Sequence, residues 1–158
     1  MVKIKLIQIG KTKEDFIANG YAGYEKKIQK YFPFETETIA LIKNMSGLPS
    51  DQLKIKEGVL LMDKIKSEDR LILLDDKGKN FSSPGFAEYM QKQMNSGTKT
   101  LVFAIGGAYG FSPQVYQRAD DKISLSAMTF SHQLVRLIFG EQLYRAGCIL
   151  NNHPYHHE

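Results

Sequence analysis

One cysteine, Cys148, stands alone among 158 residues. It has no internal partner, so no disulfide framework holds this chain, and a reducing, cytoplasmic setting is expected. No apolar run is long enough to cross a bilayer. A span needs about 20 mostly apolar residues, and the stretch 100–119 is broken by Gly106, Gly107, Gly110 and Pro113. The first residues, Met1-Val2-Lys3-Ile4-Lys5, enter an alternating pattern with no signal-peptide core or small-residue cleavage site before it. Repeats, low-complexity tracts and linkers are also missing. Neither sign of charge dominates: 21 Lys and Arg against 17 Asp and Glu leave +4. Such a balance permits a polyanionic partner and does not establish one, since lysines on solvated helix faces account for it equally well.

The composition is that of an ordinary globular chain, with 42% apolar and 24% charged residues. Its length suits a single domain over residues 1–158, large enough to bury a core without staples.

Short apolar runs alternate with amphipathic stretches. Residues 2–9 alternate and stop at Gly10, as a strand does. Ile17, Tyr21, Tyr24, Ile28 and Tyr31 recur at helical spacing and predict a helix over 13–31. A second strand is expected over 34–42. A helix over about 51–67 follows, capped by Ser50 and weakened by Gly58. The unbroken run 71–74 reads as a strand buried on both faces. Ser83-Pro84 and Ser112-Pro113 each look like a cap followed by a first-turn proline. The first opens a helix carrying Phe86, Met90 and Met94; the second opens a short one to about 119. Strands are expected at 100–105 and 122–126. Ser131 can cap a last helix to about 148, with Leu134, Leu137, Ile138 and Leu143 toward the core. Five strands alternating with helices predict an α/β fold, a mostly parallel sheet with helices on both faces. Ligands of such folds sit beyond the carboxyl ends of the strands. That rim holds residues 74–79, 106–110 and 125–130.

Three segments carry chemistry. Gly106, Gly107 and Gly110 follow a buried strand, which favours close approach of backbone to a ligand. Their spacing is not that of a dinucleotide fingerprint, and no phosphate-loop pattern occurs. The uncharged connection Leu125-Ser126-Ala127-Met128-Thr129-Phe130 offers backbone groups and apolar walls, suited to an adenine or a thioether, or simply to packing. The tail His153-Pro154-Tyr155-His156-His157 brings histidines that titrate near neutrality and a tyrosine able to stack on a base. Tyr144 and Arg145 lie beside it. With Cys148 these histidines match no zinc spacing, so no metal is expected. His132 reads as structural.

Taken together, Ile105-Gly106-Gly107-x-x-Gly110, Leu125-Ser126-x-Met128-Thr129, His132-x-x-x-Arg136, Glu141-Gln142-x-Tyr144-Arg145-Ala146 and His153-Pro154-Tyr155-His156 closely resemble the bacterial ribosomal RNA large-subunit methyltransferase H family, within the SPOUT knotted methyltransferases. The resemblance covers the whole chain. It implies a C-terminal trefoil knot, which no strand or helix pattern reveals. It also implies a homodimer whose sites are completed by the partner, and S-adenosylmethionine as methyl donor. The implied reaction methylates N3 of a pseudouridine in large-subunit (23S) rRNA on assembled ribosomes, with no role for DNA or membrane. Donor contacts would fall to Leu74, Gly106, Leu125, Ser126, Ala127, Met128, Thr129 and Phe130. Arg145, His153, Tyr155 and His156 would face the target base, with His153 or His156 as general base. His157 stands where family tails often carry Arg or Lys. Two other readings stay open on the residues alone: a nucleotide-dependent α/β enzyme using the glycine loop, and a ribosome-binding factor without catalysis.

Overall fold

The computed structural model describes residues 1–41 and 47–157. The chain runs β1 (Lys3–Ile9), α1 (Asp15–Ile28), β2 (Phe34–Ile39), α2 (Ser50–Asp63), β3 (Arg70–Asn80), α3 (Ser83–Met94), β4 (Thr100–Ile105), α4 (Pro113–Arg118), β5 (Asp121–Ser124) and α5 (Leu134–Leu150). The strands form one sheet in the order β2-β1-β4-β3-β5, and every pairing is parallel.

Alternate residues of the central strands feed two cores, one on each face. Ile4, Leu6, Ile72, Leu74, Leu101, Phe103 and Ile105 pack with residues of α1, α3 and α5. Ile7, Leu71, Leu73, Val102 and Ala104 pack with Leu61 of α2 and Val115 of α4. A strand covered on both faces gains by being apolar throughout, which is why β4 and the first half of β3 show no alternation.

The structure redraws several predicted boundaries. Helix α1 is shorter at both ends than 13–31, and β2 stops at Ile39; the expected strand end at 42 lies outside the described residues. Ser50 is the first residue of α2 and makes no capping bond, and the helix closes at Asp63. Ser82, not Ser83, caps α3, its Oγ accepting from Gly85 N. Ser112 caps α4 as expected. Ser131 does accept from Leu134 N, at 3.0 Å. The face of α5 differs from the one expected. Leu143 is buried, whereas Leu134, Leu137 and Ile138 are only half-buried; the inner face is Arg136, Phe139, Gly140, Leu143, Tyr144, Ala146, Gly147 and Cys148. Two glycines on that face let α5 approach α1 and its exit closely. A Cβ at Gly147 would lie 2.6 Å from the Tyr31 ring, and one at Gly140 3.2 Å from that of Tyr21.

Strand β3 is much longer than the predicted 71–74. Its charged second half, residues 75–80, stays extended because β5 pairs with it twice. Leu74 and Lys79 both oppose Ile123, with the intervening residues bulged. Gly78 makes this crossing feasible, since a Cβ there would meet Ile123 backbone at 2.6 Å.

Arg136 ties α5 to the end of β1. It is wholly buried, and its guanidinium donates to Ile9 O at 2.7 Å, Gly10 O at 2.9 Å and Thr12 Oγ1 at 2.9 Å. A planar fork of donors suits several carbonyls at a strand end better than an ammonium does.

Candidate active site

The carboxyl ends of β3, β4 and β5 open into a cavity of about 390 Å³. That is within the usual range for a small-molecule site, about 300–1,000 Å³. Its walls are the middle of β3, where the apolar half gives way to the charged half, and the two connections that follow β4 and β5.

The first wall is Leu74 followed by Asp75, Asp76 and Lys77. Asp75 accepts from Tyr116 OH, which reaches across from α4, and from Lys77 N at 2.9 Å. Burial alone would raise the Asp75 pKa, but these hydrogen bonds outweigh it and hold the carboxyl below its ordinary value. The second wall is the glycine loop. Gly110 N donates to Gly107 O at 3.1 Å, closing a tight turn with Gly110 at φ +84°. The third wall is the connection after β5. Ser124 Oγ donates to Ser126 O at 2.7 Å, and Ser126 Oγ accepts from Met128 N at 3.0 Å, so two hydroxyls shape the turn.

Leu74, Gly106, Leu125, Ser126, Met128, Thr129 and Phe130 all line the cavity, as the sequence suggested; Ala127 does not. Asp75, on the expected rim but given no role, Tyr116, which sequence reasoning missed, and His132 line it too. Asp75 had a signal, being the first polar residue after a buried strand. His132 was read as structural, but it faces the site. Burial, with Arg136 and Lys13 nearby, pushes its pKa below the ordinary histidine value.

A buried carboxyl lies behind the glycine loop. Glu57 of α2 is 4% exposed, and a Cβ on Gly107 would fall 2.6 Å from its Oε2 and 2.8 Å from its Oε1. Its Oε1 has no hydrogen-bond partner. A buried acceptor left unpaired costs about 1–3 kcal/mol. Desolvation pushes its pKa up.

The tail forms a second cluster. Glu141 is its hub. Arg145 donates to it through Nε at 3.0 Å and through Nη2, and Tyr155 OH donates to it at 3.2 Å. Arg145 also lies over the Tyr155 ring, 4.7 Å from its centroid, and donates through Nη1 to His156 Nδ1 at 3.0 Å. The Tyr155 ring meets Tyr144 edge-on with centroids 4.9 Å apart. His153 is exposed, its backbone N–H bonded to Cys148 O at 2.9 Å. Arg145, Tyr155 and His156 are therefore brought together, while the His153 side chain makes no hydrogen bond or ring contact with them and the residue is tied down, among the described residues, through its backbone alone. Glu141, the residue that organises them, had no role assigned from sequence; its i, i+4 spacing to Arg145 was the available signal. None of these tail residues lines the cavity.

Among the described residues, no group of three His, Cys, Asp or Glu side chains is placed to hold a metal ion, and no helix is long and apolar enough to cross a membrane.

Residues 2–156 match the family model described as "Predicted SPOUT methyltransferase". The chain is 54% identical over 157 residues to a protein of Flavobacterium johnsoniae named "Ribosomal RNA large subunit methyltransferase H", covering 99% of this chain and 100% of the relative. Relatives of the same name from Parabacteroides distasonis and Cytophaga hutchinsonii are 52% and 50% identical, each covering 99% of this chain and 100% of the relative. Neither a nucleotide-dependent enzyme nor a factor without catalysis fits these matches.

Proposed function

Because the chain belongs to the SPOUT methyltransferase family and is a methyltransferase, we propose that it transfers methyl from S-adenosylmethionine to N3 of a pseudouridine in 23S rRNA, acting on the assembled ribosome in the cytoplasm. The observation that carries the reading is the pairing of two unlike half-sites in one chain. One is a strand-end cavity walled by backbone and apolar groups; the other is a cluster of arginine, tyrosine and histidine outside it. The relatives' name supplies the RNA; the resemblance set out above supplies the base and the ribosome.

The cavity fits a donor of this kind. Leu74, Gly106, Leu125 and Met128 bring backbone groups and apolar surface to a flat heterocycle. Asp75 and Asp76 place carboxylates where a cationic group would be welcome. When bound, S-adenosylmethionine supplies a methyl group on positively charged sulfur. The chain's own residues then have three tasks. Arg145 stabilises negative charge on the base: Glu141 and His156 engage three of its five N–H groups, leaving two for a carbonyl oxygen. Tyr155, held by Glu141 and Tyr144, offers a ring on which the base stacks. A tail histidine takes the N3 proton, and exposed His153, whose ring is not engaged by Arg145 as that of His156 is, is the one we assign.

The half-sites do not meet within one chain, so a second copy completes each site, and the enzyme works as a homodimer. The half-buried Leu134 and Ile138 on α5 support such an association. A trefoil knot in the C-terminal part is what membership of the SPOUT family carries to this chain. The chain is read as a single domain over residues 1–158.

The test is transfer of labelled methyl from S-adenosylmethionine to ribosomes lacking the modification, beside isolated subunits and naked rRNA. Label on one pseudouridine of assembled ribosomes is expected. Label on another RNA, or none, overturns the substrate assignment.

A further inference from the structure

Glu57 takes no part in the chemistry just described, yet its position is costly. Its carboxyl is buried, its Oε1 is without a donor, and both oxygens occupy the space where any side chain on Gly107 would have to go. The next residue shows how tightly α2 is seated there. A Cβ on Gly58 would fall 2.6 Å from Ser112 Oγ and 3.1 Å from Val115 Cγ2. Helix α2 therefore grips both ends of the connection between β4 and α4: the glycine turn through Glu57, and the cap of α4 through Gly58.

A buried acceptor without a donor is expected to be lost unless another state of the protein uses it. Gly107 of the glycine loop lies directly against this carboxyl, and that loop is a wall of the cavity. We propose that Glu57 is a positioning residue for the donor cavity: Oε1 is the acceptor for a backbone N–H of residues 106–110 once the cavity is filled. The proposal rests on the donor reading above. Glu57 touches no reacting atom; it acts through the loop. It trades stability of the empty protein for a loop that locks on filling, as strained or unpaired groups at functional sites do.

This trade has a signature that a merely structural residue lacks. Glu57→Met keeps the volume and removes the acceptor. Without donor, its Tm is expected to rise by about 2–4 °C, since an unpaired buried acceptor is gone. Its Kd for S-adenosylmethionine, measured by calorimetry, is expected to rise about tenfold or more. Glu57→Gln keeps an acceptor oxygen in the same place and is expected to bind within about threefold of the wild type. In the wild type itself, amide exchange of residues 106–110 is expected to slow on adding donor. Equal donor affinity in Glu57→Met and wild type overturns the proposal, as does a lowered Tm in Glu57→Met or unchanged exchange in the loop. A wild type that binds no donor overturns the reading of the cavity, and this proposal with it.

Discussion

The Arg145 guanidinium donates to Nδ1 of His156 across 3.0 Å, and a guanidinium has no lone pair to accept with. The ring proton of neutral His156 is thereby placed on Nε2. In this arrangement neither nitrogen offers a lone pair to the imide proton of a base. His156 is thus held against Arg145, and under the proposed function the role of proton acceptor falls to His153. His153→Ala is expected to lower kcat by about 10²–10⁴-fold, and His156→Ala by less than tenfold. Single-turnover kinetics across pH 5–9 checks this. Equal losses in the two variants contradict the assignment.

Tyr116 OH donates to the Asp75 carboxylate at the mouth of the cavity. That bond helps hold the Asp75 pKa below its ordinary value against the opposing effect of burial, so it favours the folded state only while Asp75 is ionised. The stabilisation is fully present above the unfolded pKa, about 3.9, and is lost as pH falls through the lower folded value. Tyr116→Phe is expected to cost about 1 kcal/mol at pH 7, reduced by solvent screening of a part-exposed pair. The difference from wild type should close below about pH 4. Urea unfolding at pH 7 and pH 3 measures it.

Arg136 satisfies the carbonyls of Ile9 and Gly10 from inside the fold. Arg136→Met leaves them without donors and is expected to cost about 3 kcal/mol or more. Arg136→Lys should recover less than half, because one ammonium cannot reproduce the fork. Chemical denaturation of the three proteins decides it.

Gly58 lies inside α2, where alanine ordinarily gains about 1 kcal/mol of helix propensity. Here the added Cβ would press on Ser112 Oγ, the cap of α4. Gly58→Ala is therefore expected to destabilise by about 1–2 kcal/mol. A stabilised variant would contradict the close packing of α2 on α4.

Much of this molecule was legible in its sequence, for physical reasons. The continuous apolar runs at 71–74 and 100–105 suit strands covered on both faces, and Ser112-Pro113 marked the start of α4. The strand-end rule then placed Leu74, Gly106 and the 125–130 connection on the cavity. What escaped was tertiary. Nothing in Asp75-Asp76-Lys77 reads as strand; only pairing with β5 keeps it extended. Gly58 looked like a weakness of α2, and it is the contact that seats the helix. The inner face of α5 was misjudged because glycines, a cysteine and an arginine bury there while three aliphatic residues stay half-exposed. Glu57 carried no signal, since a lone glutamate in a helix is ordinarily on the surface.

The central claim is that cavity and tail act across two copies of the chain. Gly106→Arg presses on the backbone of Gly110 and distorts the loop that walls the cavity, and Arg145→Ala removes the tail cation, so each variant alone is expected to be inactive. Unfolded together and refolded, half of the dimers should pair one of each and contain a single intact site, restoring about a quarter of wild-type methyl transfer to ribosomes. Such recovery is the result expected. A mixture as inactive as its parts would contradict the claim and place cavity and tail of one chain in the same site.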